Sequence, residues 1–187
     1  MRTIYIPLLL LLFVVTSLNV KAQQIADFPD IGDDIMPEYP KVEWLKGNPV
    51  TQFDKDKIYI VELWATWCKP CIAAMPHLNA LHLKFKDKGV IFIGQDVMED
   101  DKAKVEAFVK EMGDAISYNI AYSGDVNSDF NKKWVKAAAV SSIPQTFVIQ
   151  HNKLVWQTHP FNLNEAVMQL LIEDKFSIDA AKALLKK

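Results

Sequence analysis

Cysteine is scarce in this sequence, which contains only two, Cys68 and Cys71, in 187 residues. A framework of structural disulfides needs cysteines that lie far apart in the chain, because a bridge that closes so short a loop restrains little of the unfolded state. The spacing therefore disfavours a stabilising bridge. It favours a pair of thiols with a chemical role.

A strong excess of charge is absent as well, since 21 lysines and arginines face 23 aspartates and glutamates. No nucleic-acid partner is predicted. Histidine is also rare, and His77 and His82 follow the cysteines without the long spacer of a zinc-finger site. Position 72, where haem attachment requires histidine, is isoleucine. We predict no metal, and no cofactor other than a redox-active disulfide between Cys68 and Cys71.

A long hydrophobic run is missing too, because the mainly apolar segment from Ile4 to Val15 falls short of the roughly 20 residues that span a membrane. Arg2 precedes this segment and Val20-Lys21-Ala22 follows it, which is the order found in a secretory signal. We predict a signal peptide at 1–22 and a periplasmic protein. The alternative is an uncleaved anchor that holds the protein at the membrane, facing the periplasm. Residues 23–40, rich in Asp and Pro, are predicted to be an extended leader before one domain at 41–187.

The run from Ile58 to Trp64 is too continuously apolar for a half-exposed edge strand and predicts a strand buried on both faces of a sheet. It leads into Cys68-Lys-Pro-Cys71 at the start of a helical pattern that reaches Lys88. Two thiols at this spacing lie about one helical turn apart, and the first meets unpaired backbone N–H groups that favour a thiolate. The stretch predicts redox chemistry.

The residues around the cysteines make this pattern more specific. Trp64, Ala65, Trp67, Pro70 and Pro76 stand where proteins of the thioredoxin family have them. The stretch resembles a thioredoxin-like active site. This resemblance implies an α/β protein with a thioredoxin-like fold, in which helices flank a central mixed β-sheet.

A second motif, Ile143-Pro144-Gln-Thr-Phe147, follows later in the chain. Because proline cannot donate within a strand ladder, Pro144 is expected at the first residue of a strand. The motif resembles the cis-proline signature of the thioredoxin family. That resemblance implies a loop packed against the cysteines, in which Ile143 offers its backbone to a substrate polypeptide and Pro144 keeps the thiols apart from a metal.

Glu62 interrupts the apolar strand six residues before Cys68. An unpaired carboxylate is costly to bury, and burial raises its pKa. Resemblance to thioredoxins implies that Glu62 is the buried acid that exchanges a proton with Cys71. The alternative is a pairing between Glu62 and a lysine that serves only the fold.

Three features are added to the basic fold in the predicted order of elements. They are an N-terminal hairpin of Val42–Lys46 with Val50–Phe53, a helix-strand insertion near 101–122, and an extra C-terminal helix from Ser177 to Lys186. With the export signal, they resemble the TlpA/ResA-like branch of exported thiol-disulfide oxidoreductases. The sequence departs from that branch at Ala74, where many members carry glutamate.

The resemblance implies a protein-disulfide reductase. Cys68, expected to be the more exposed cysteine, would attack a substrate disulfide as a thiolate, and Cys71 would resolve the mixed disulfide. Expected partners are disulfide-bearing exported proteins and a membrane thiol-disulfide electron donor, in processes such as cytochrome c maturation. The residues expected to contact the substrate are Trp67, Lys69, Pro70, Ile143 and Pro144.

Other functions stay open at this point. A dithiol oxidase would use the same residues at a higher reduction potential. A non-catalytic thioredoxin-fold module for binding or metal delivery is a second alternative. A peroxidase is disfavoured, because peroxiredoxin-like domains place Pro and Thr ahead of the reactive cysteine, whereas Thr66 lies two residues before Cys68 with no Pro before it.

Overall fold

A computed structural model of the protein describes residues 28–186, so the predicted signal peptide at 1–22 lies outside the described residues. A six-stranded mixed sheet has the strand order β1-β4-β3-β2-β5-β6. Its strands are β1 Glu43–Lys46, β2 Ile58–Trp64, β3 Val90–Asp96, β4 Asn119–Tyr122, β5 Gln145–Gln150 and β6 Lys153–Thr158. The α-helices in this part of the chain are α1 Lys69–Phe85, α2 Lys102–Met112, α3 Glu165–Ile172 and α4 Ile178–Leu185.

β2 lies at the centre of the sheet. It pairs in parallel with β3 and antiparallel with β5, and all seven of its residues are buried. This confirms the prediction of a strand buried on both faces. The register sets Glu62 opposite Gly94 on β3 and opposite Thr146 on β5, with Trp64 opposite Asp96.

Each face of the sheet has its own core. Helices cover one face, where the buried cluster includes Ile60 and Trp64 of β2, Leu78 of α1, Val105 of α2, Val167 of α3 and Ala181 of α4. The other face packs against a π-helical turn, Asn131–Lys136, and against the leader. Because side chains alternate along a strand, Glu62 lies on the face that the helices cover.

The leader covers one edge of the sheet. The Gly32 N–H donates to the Leu154 carbonyl at 2.7 Å, and the Leu154 N–H donates to the Asp33 carbonyl at 3.0 Å. These bonds occupy backbone groups of the edge strand β6, which an uncovered edge would expose for pairing with another chain.

The predicted N-terminal hairpin is wrong. β1 pairs antiparallel with β4, with Glu43 opposite Tyr122. The segment expected to be its partner pairs with the leader instead, since the Tyr39 N–H donates to the Thr51 carbonyl and the Phe53 N–H donates to the Pro37 carbonyl. The rings of Tyr39 and Phe53 are both buried, with centroids 5.6 Å apart. Aromatic burial against the leader thus overrides the local turn preference.

The other two predicted additions to the basic fold are present in the structure. The insertion near 101–122 is confirmed as α2 and β4, and the C-terminal helix as α4, whose N-cap Ser177 accepts from the Ala180 N–H. Within residues 28–186, no helix has the length and apolar character needed to cross a membrane.

Candidate active site

Cys68 and Cys71 are joined by a disulfide, with Cα atoms 5.3 Å apart. Cys68 is the N-cap of α1, and the Cys71 N–H points at the Cys68 Sγ at 3.3 Å. Backbone N–H groups at this helix end would stabilise a Cys68 thiolate once the bridge is reduced. Both residues are buried here, at 3% and 2% exposure. The greater exposure expected of Cys68 is therefore absent from the oxidised form.

The Ile143–Pro144 loop packs against the first cysteine. Its peptide bond is cis, and the Ile143 carbonyl oxygen lies 3.7 Å from the Cys68 Sγ. Pro144 is buried and β5 begins at the next residue. The two motifs, far apart in sequence, thus meet at the sulfur atom.

The remaining predicted substrate-contact residues lie on the surface beside the disulfide. Trp67 is 54% exposed directly before Cys68. Lys69 and Pro70, the first two residues of α1, are exposed as well. Together with half-buried Ile143 they form a mixed apolar and basic surface around the bridge.

Glu62 is buried behind this surface. Its Oε2 accepts a hydrogen bond from the Thr146 hydroxyl, while its Oε1 has no partner among residues 28–186. No lysine pairs with it in this part of the chain, so the alternative of a structural ion pair finds no support. Burial raises the pKa of Glu62 to about 8, although the Thr146 hydrogen bond lowers it.

Glu62 and Cys71 lie on the same side of β2. Cys71 belongs to the cluster that includes Ile60 and Trp64, the neighbours of Glu62 on its own face. The Cys71 Sγ lies 4.0 Å from the Leu63 carbonyl oxygen, one residue along the strand from Glu62. The arrangement places a buried acid near the cysteine that would need to lose a proton.

Sequence reasoning misses two other buried acids near the site, Asp96 and Glu99. Asp96 is 0% exposed at the end of β3, and Glu99 is 5% exposed. Glu99 accepts from the Thr66 N–H at 2.8 Å, from the Thr66 hydroxyl and from the Lys104 Nζ at 2.7 Å. The available clue was an acid, Asp96, that closely follows the apolar run from Val90 to Gly94.

Sequence reasoning also misses Phe161. It is 50% exposed in the turn Pro160–Asn162 that follows β6, with its ring centroid 5.6 Å from those of His77 and His159. Thr158, the last residue of β6, pairs with Thr146, and Thr146 pairs with Glu62 near the end of β2. The turn therefore leaves the sheet at the end where β2 also finishes. Phe161 therefore adds an exposed aromatic ring to the active-site end of the molecule.

Sequence comparisons find relatives of this chain. FixW from Rhizobium leguminosarum is 32% identical over 115 residues, which cover 58% of this chain and 51% of FixW. The thiol-disulfide oxidoreductase ResA of Bacillus thuringiensis subsp. konkukian is 34% identical over 114 residues, which cover 60% of this chain and 61% of ResA. The match thus spans about half to three fifths of these relatives.

A solved structure supports the fold. The thioredoxin domain of a thiol-disulfide oxidoreductase from Bacteroides vulgatus superposes with a TM-score of 0.60 at 22% identity, covering 76% of this chain and 99% of that one. The AhpC/TSA family model matches residues 38–157, which include both cysteines and the Pro144 motif. The chain therefore belongs to the AhpC/TSA family of thioredoxin-like proteins, and ResA-like proteins are among its relatives.

Proposed function

We propose that this protein is a thiol-disulfide oxidoreductase that reduces disulfides of other proteins through Cys68 and Cys71. The observation that carries the proposal is their disulfide at the N-terminus of α1, with the Pro144 loop against one sulfur and a buried acid on the side of the other. Relatives named thiol-disulfide oxidoreductase support the same reaction class.

The first step uses Cys68. In the reduced protein its thiolate attacks one sulfur of a substrate disulfide, and a bond forms between Cys68 and that sulfur. The substrate's own S–S bond breaks, and its second sulfur leaves as a thiolate that takes a proton from solvent. The N-terminus of α1 stabilises the attacking thiolate.

The second step uses Cys71 and Glu62. The Cys71 thiol gives its proton to the Glu62 carboxylate, and the resulting thiolate attacks the Cys68 sulfur. The mixed disulfide breaks, the substrate leaves as a second thiolate, and the Cys68–Cys71 bridge is restored, so two electrons have passed to the substrate. A raised pKa suits Glu62 to this transfer, because about 8 lies close to the ordinary thiol value of about 8.5.

The reverse exchange regenerates the reductant. A donor thiolate attacks the Cys68 sulfur, and neutral Glu62 returns its proton to Cys71 as the Cys71 sulfur leaves. A second thiolate of the donor then attacks the mixed disulfide, which leaves the donor oxidised and releases Cys68 as a thiolate. Because Ala74 stands where many TlpA/ResA-like proteins have glutamate, Glu62 carries the proton transfer in this proposal.

The proposed setting is the periplasm, on the basis of the N-terminal signal pattern. The proposed partners are exported proteins with disulfides and a membrane electron donor, and cytochrome c maturation is one process that requires such a reductant. The mixed apolar and basic surface around the bridge, with exposed Trp67, suits unfolded or extended polypeptides as substrates.

Trapping tests the reaction. Cys71→Ser is mixed with a disulfide-containing protein, and mass spectrometry should find an adduct at Cys68, whereas the matched Cys68→Ser variant should give none.

The reduction potential of the wild-type cysteine pair sets the direction of electron transfer. A value near about −270 mV supports a reductase, whereas one near about −120 mV would assign an oxidase instead. Failure to exchange at all would favour the non-catalytic binding module.

A further inference from the structure

Asp96 is a buried acid that the proposed exchange does not use. It is 0% exposed, and neither carboxyl oxygen has a hydrogen-bond partner in the described part of the chain. It lies opposite Trp64, on the sheet face that the helices cover. The chain then turns through Met98, at φ 58°, before it reaches Glu99.

Glu99 binds the loop that carries the nucleophile. It accepts hydrogen bonds from both the N–H and the hydroxyl of Thr66, two residues before Cys68. Its remaining partner is the ammonium group of Lys104 on α2, at 2.7 Å. The Glu99 carboxylate therefore fixes the chain just before the N-cap of α1.

Ionisation of Asp96 is unfavourable beside the Glu99 carboxylate. The ionisable groups that face it are Glu99, Lys104 of α2 and Tyr122 of β4, and the single cation among them already pairs with Glu99. A buried carboxylate without a donor or cation is very costly. A proton on Asp96 removes that charge and turns one of its unpartnered oxygens into a donor, for which the neighbouring Glu99 carboxylate is the acceptor.

We propose that Asp96 and Glu99 form a carboxylic acid–carboxylate pair that fixes Thr66 and thereby positions Cys68. Asp96 is thus a positioning residue, and its part in thiol exchange rests on the proposed function. One proton keeps the pair at a single negative charge, balanced by Lys104. Loss of that proton would add a second buried charge that disfavours the Cys68 thiolate.

The electrostatics of the two acids agree with this pairing. Burial, with the neighbouring Glu99, raises the pKa of Asp96 to about 9. Burial also opposes ionisation of Glu99, but hydrogen bonds from Lys104 and Thr66 outweigh it and lower the pKa of Glu99. The proton of the pair therefore resides on Asp96 at neutral pH.

Nuclear magnetic resonance on the oxidised protein tests the pair, because neither cysteine titrates in that form. The Thr66 amide shift should change at alkaline pH in the wild type and in the matched control Glu62→Gln, and should stay constant in Asp96→Asn. The same transition in Asp96→Asn would overturn the proposal. The Asp96 13Cγ shift needs no variant: a carboxylate value at neutral pH would also overturn it.

A second comparison tests the link to Cys68 without any disulfide substrate, so its outcome is independent of the proposed function. Two forms of the Cys71→Ser variant are compared, one with a free Cys68 thiolate and one with Cys68 blocked by an uncharged methylthio group. The quantity measured is the midpoint pH of the alkaline change in the Thr66 amide chemical shift. The free thiolate should move the midpoint to higher pH, because like charges oppose each other's ionisation. Equal midpoints would overturn the coupling.

Discussion

Thr146 donates its hydroxyl hydrogen to the carboxyl group of Glu62, across the pairing of β5 with β2. Thr146 lies two residues after Pro144, whose loop contacts the Cys68 sulfur. One short segment therefore contacts the attacking cysteine and also holds the acid proposed to serve Cys71. The position of the substrate-facing loop and the protonation of the buried acid are linked through this hydrogen bond.

Removal of that hydroxyl should slow resolution of the mixed disulfide. The Thr146 bond lowers the pKa of Glu62, so Thr146→Val should raise that pKa further and leave less carboxylate at neutral pH. A pKa that is higher by one leaves about tenfold less carboxylate at neutral pH. Stopped-flow measurement of resolution against pH should show the midpoint at higher pH in Thr146→Val and restored in Thr146→Ser. An unchanged midpoint would contradict the link.

Glu62→Gln should stabilise the oxidised protein at neutral and alkaline pH. The folded chain keeps the Glu62 proton up to about pH 8, whereas the unfolded chain releases it near 4.5, so wild-type stability falls as pH rises through this window. Relative to wild type, the variant should gain about 3 kcal/mol at pH 7 and little below pH 4. Urea unfolding at several pH values measures this difference, and a gain independent of pH would contradict it.

Gly94→Ala should destabilise the fold by overpacking. An added Cβ would lie 2.8 Å from the Ile120 Cδ1 and 3.0 Å from the Tyr118 ring. Strain of this kind costs about 1–3 kcal/mol. Thermal unfolding should show the loss, and the double variant Gly94→Ala with Ile120→Val should recover part of it, because valine lacks the Cδ1 atom. Additive losses in the double variant would argue against this contact as the cause.

Phe161→Ala should weaken substrate binding and leave the redox chemistry intact. Loss of its exposed ring at the active-site end should cost about 1 kcal/mol, or about fivefold in KM for a protein disulfide. Leu83 offers a matched control, since it is 51% exposed near the far end of α1. Leu83→Ala should leave KM unchanged, and both variants should keep the wild-type reduction potential. Equal effects on KM from both variants would exclude a specific contact at Phe161.

Local sequence determines the parts of this protein that depend on nearby residues. The apolar run of β2, the N-terminal position of Cys68 on α1 and the Ser177 cap of α4 each arise from spacing, propensity or capping within a few residues. Glu62 is conspicuous for the same reason, because a carboxylate inside such a run contrasts with its immediate neighbours.

Tertiary structure decides which distant residues meet. Thr146 reaches Glu62 across 84 positions of sequence, and Glu99 reaches Thr66 across 33. β1 pairs with β4 because long-range burial outweighs a local turn. Such contacts follow from strand register and from which groups lose access to water, and both are set by the whole sheet. The sequence by itself therefore determines the reactive cysteines, while the folded sheet decides which acids, hydroxyl groups and aromatic rings surround them.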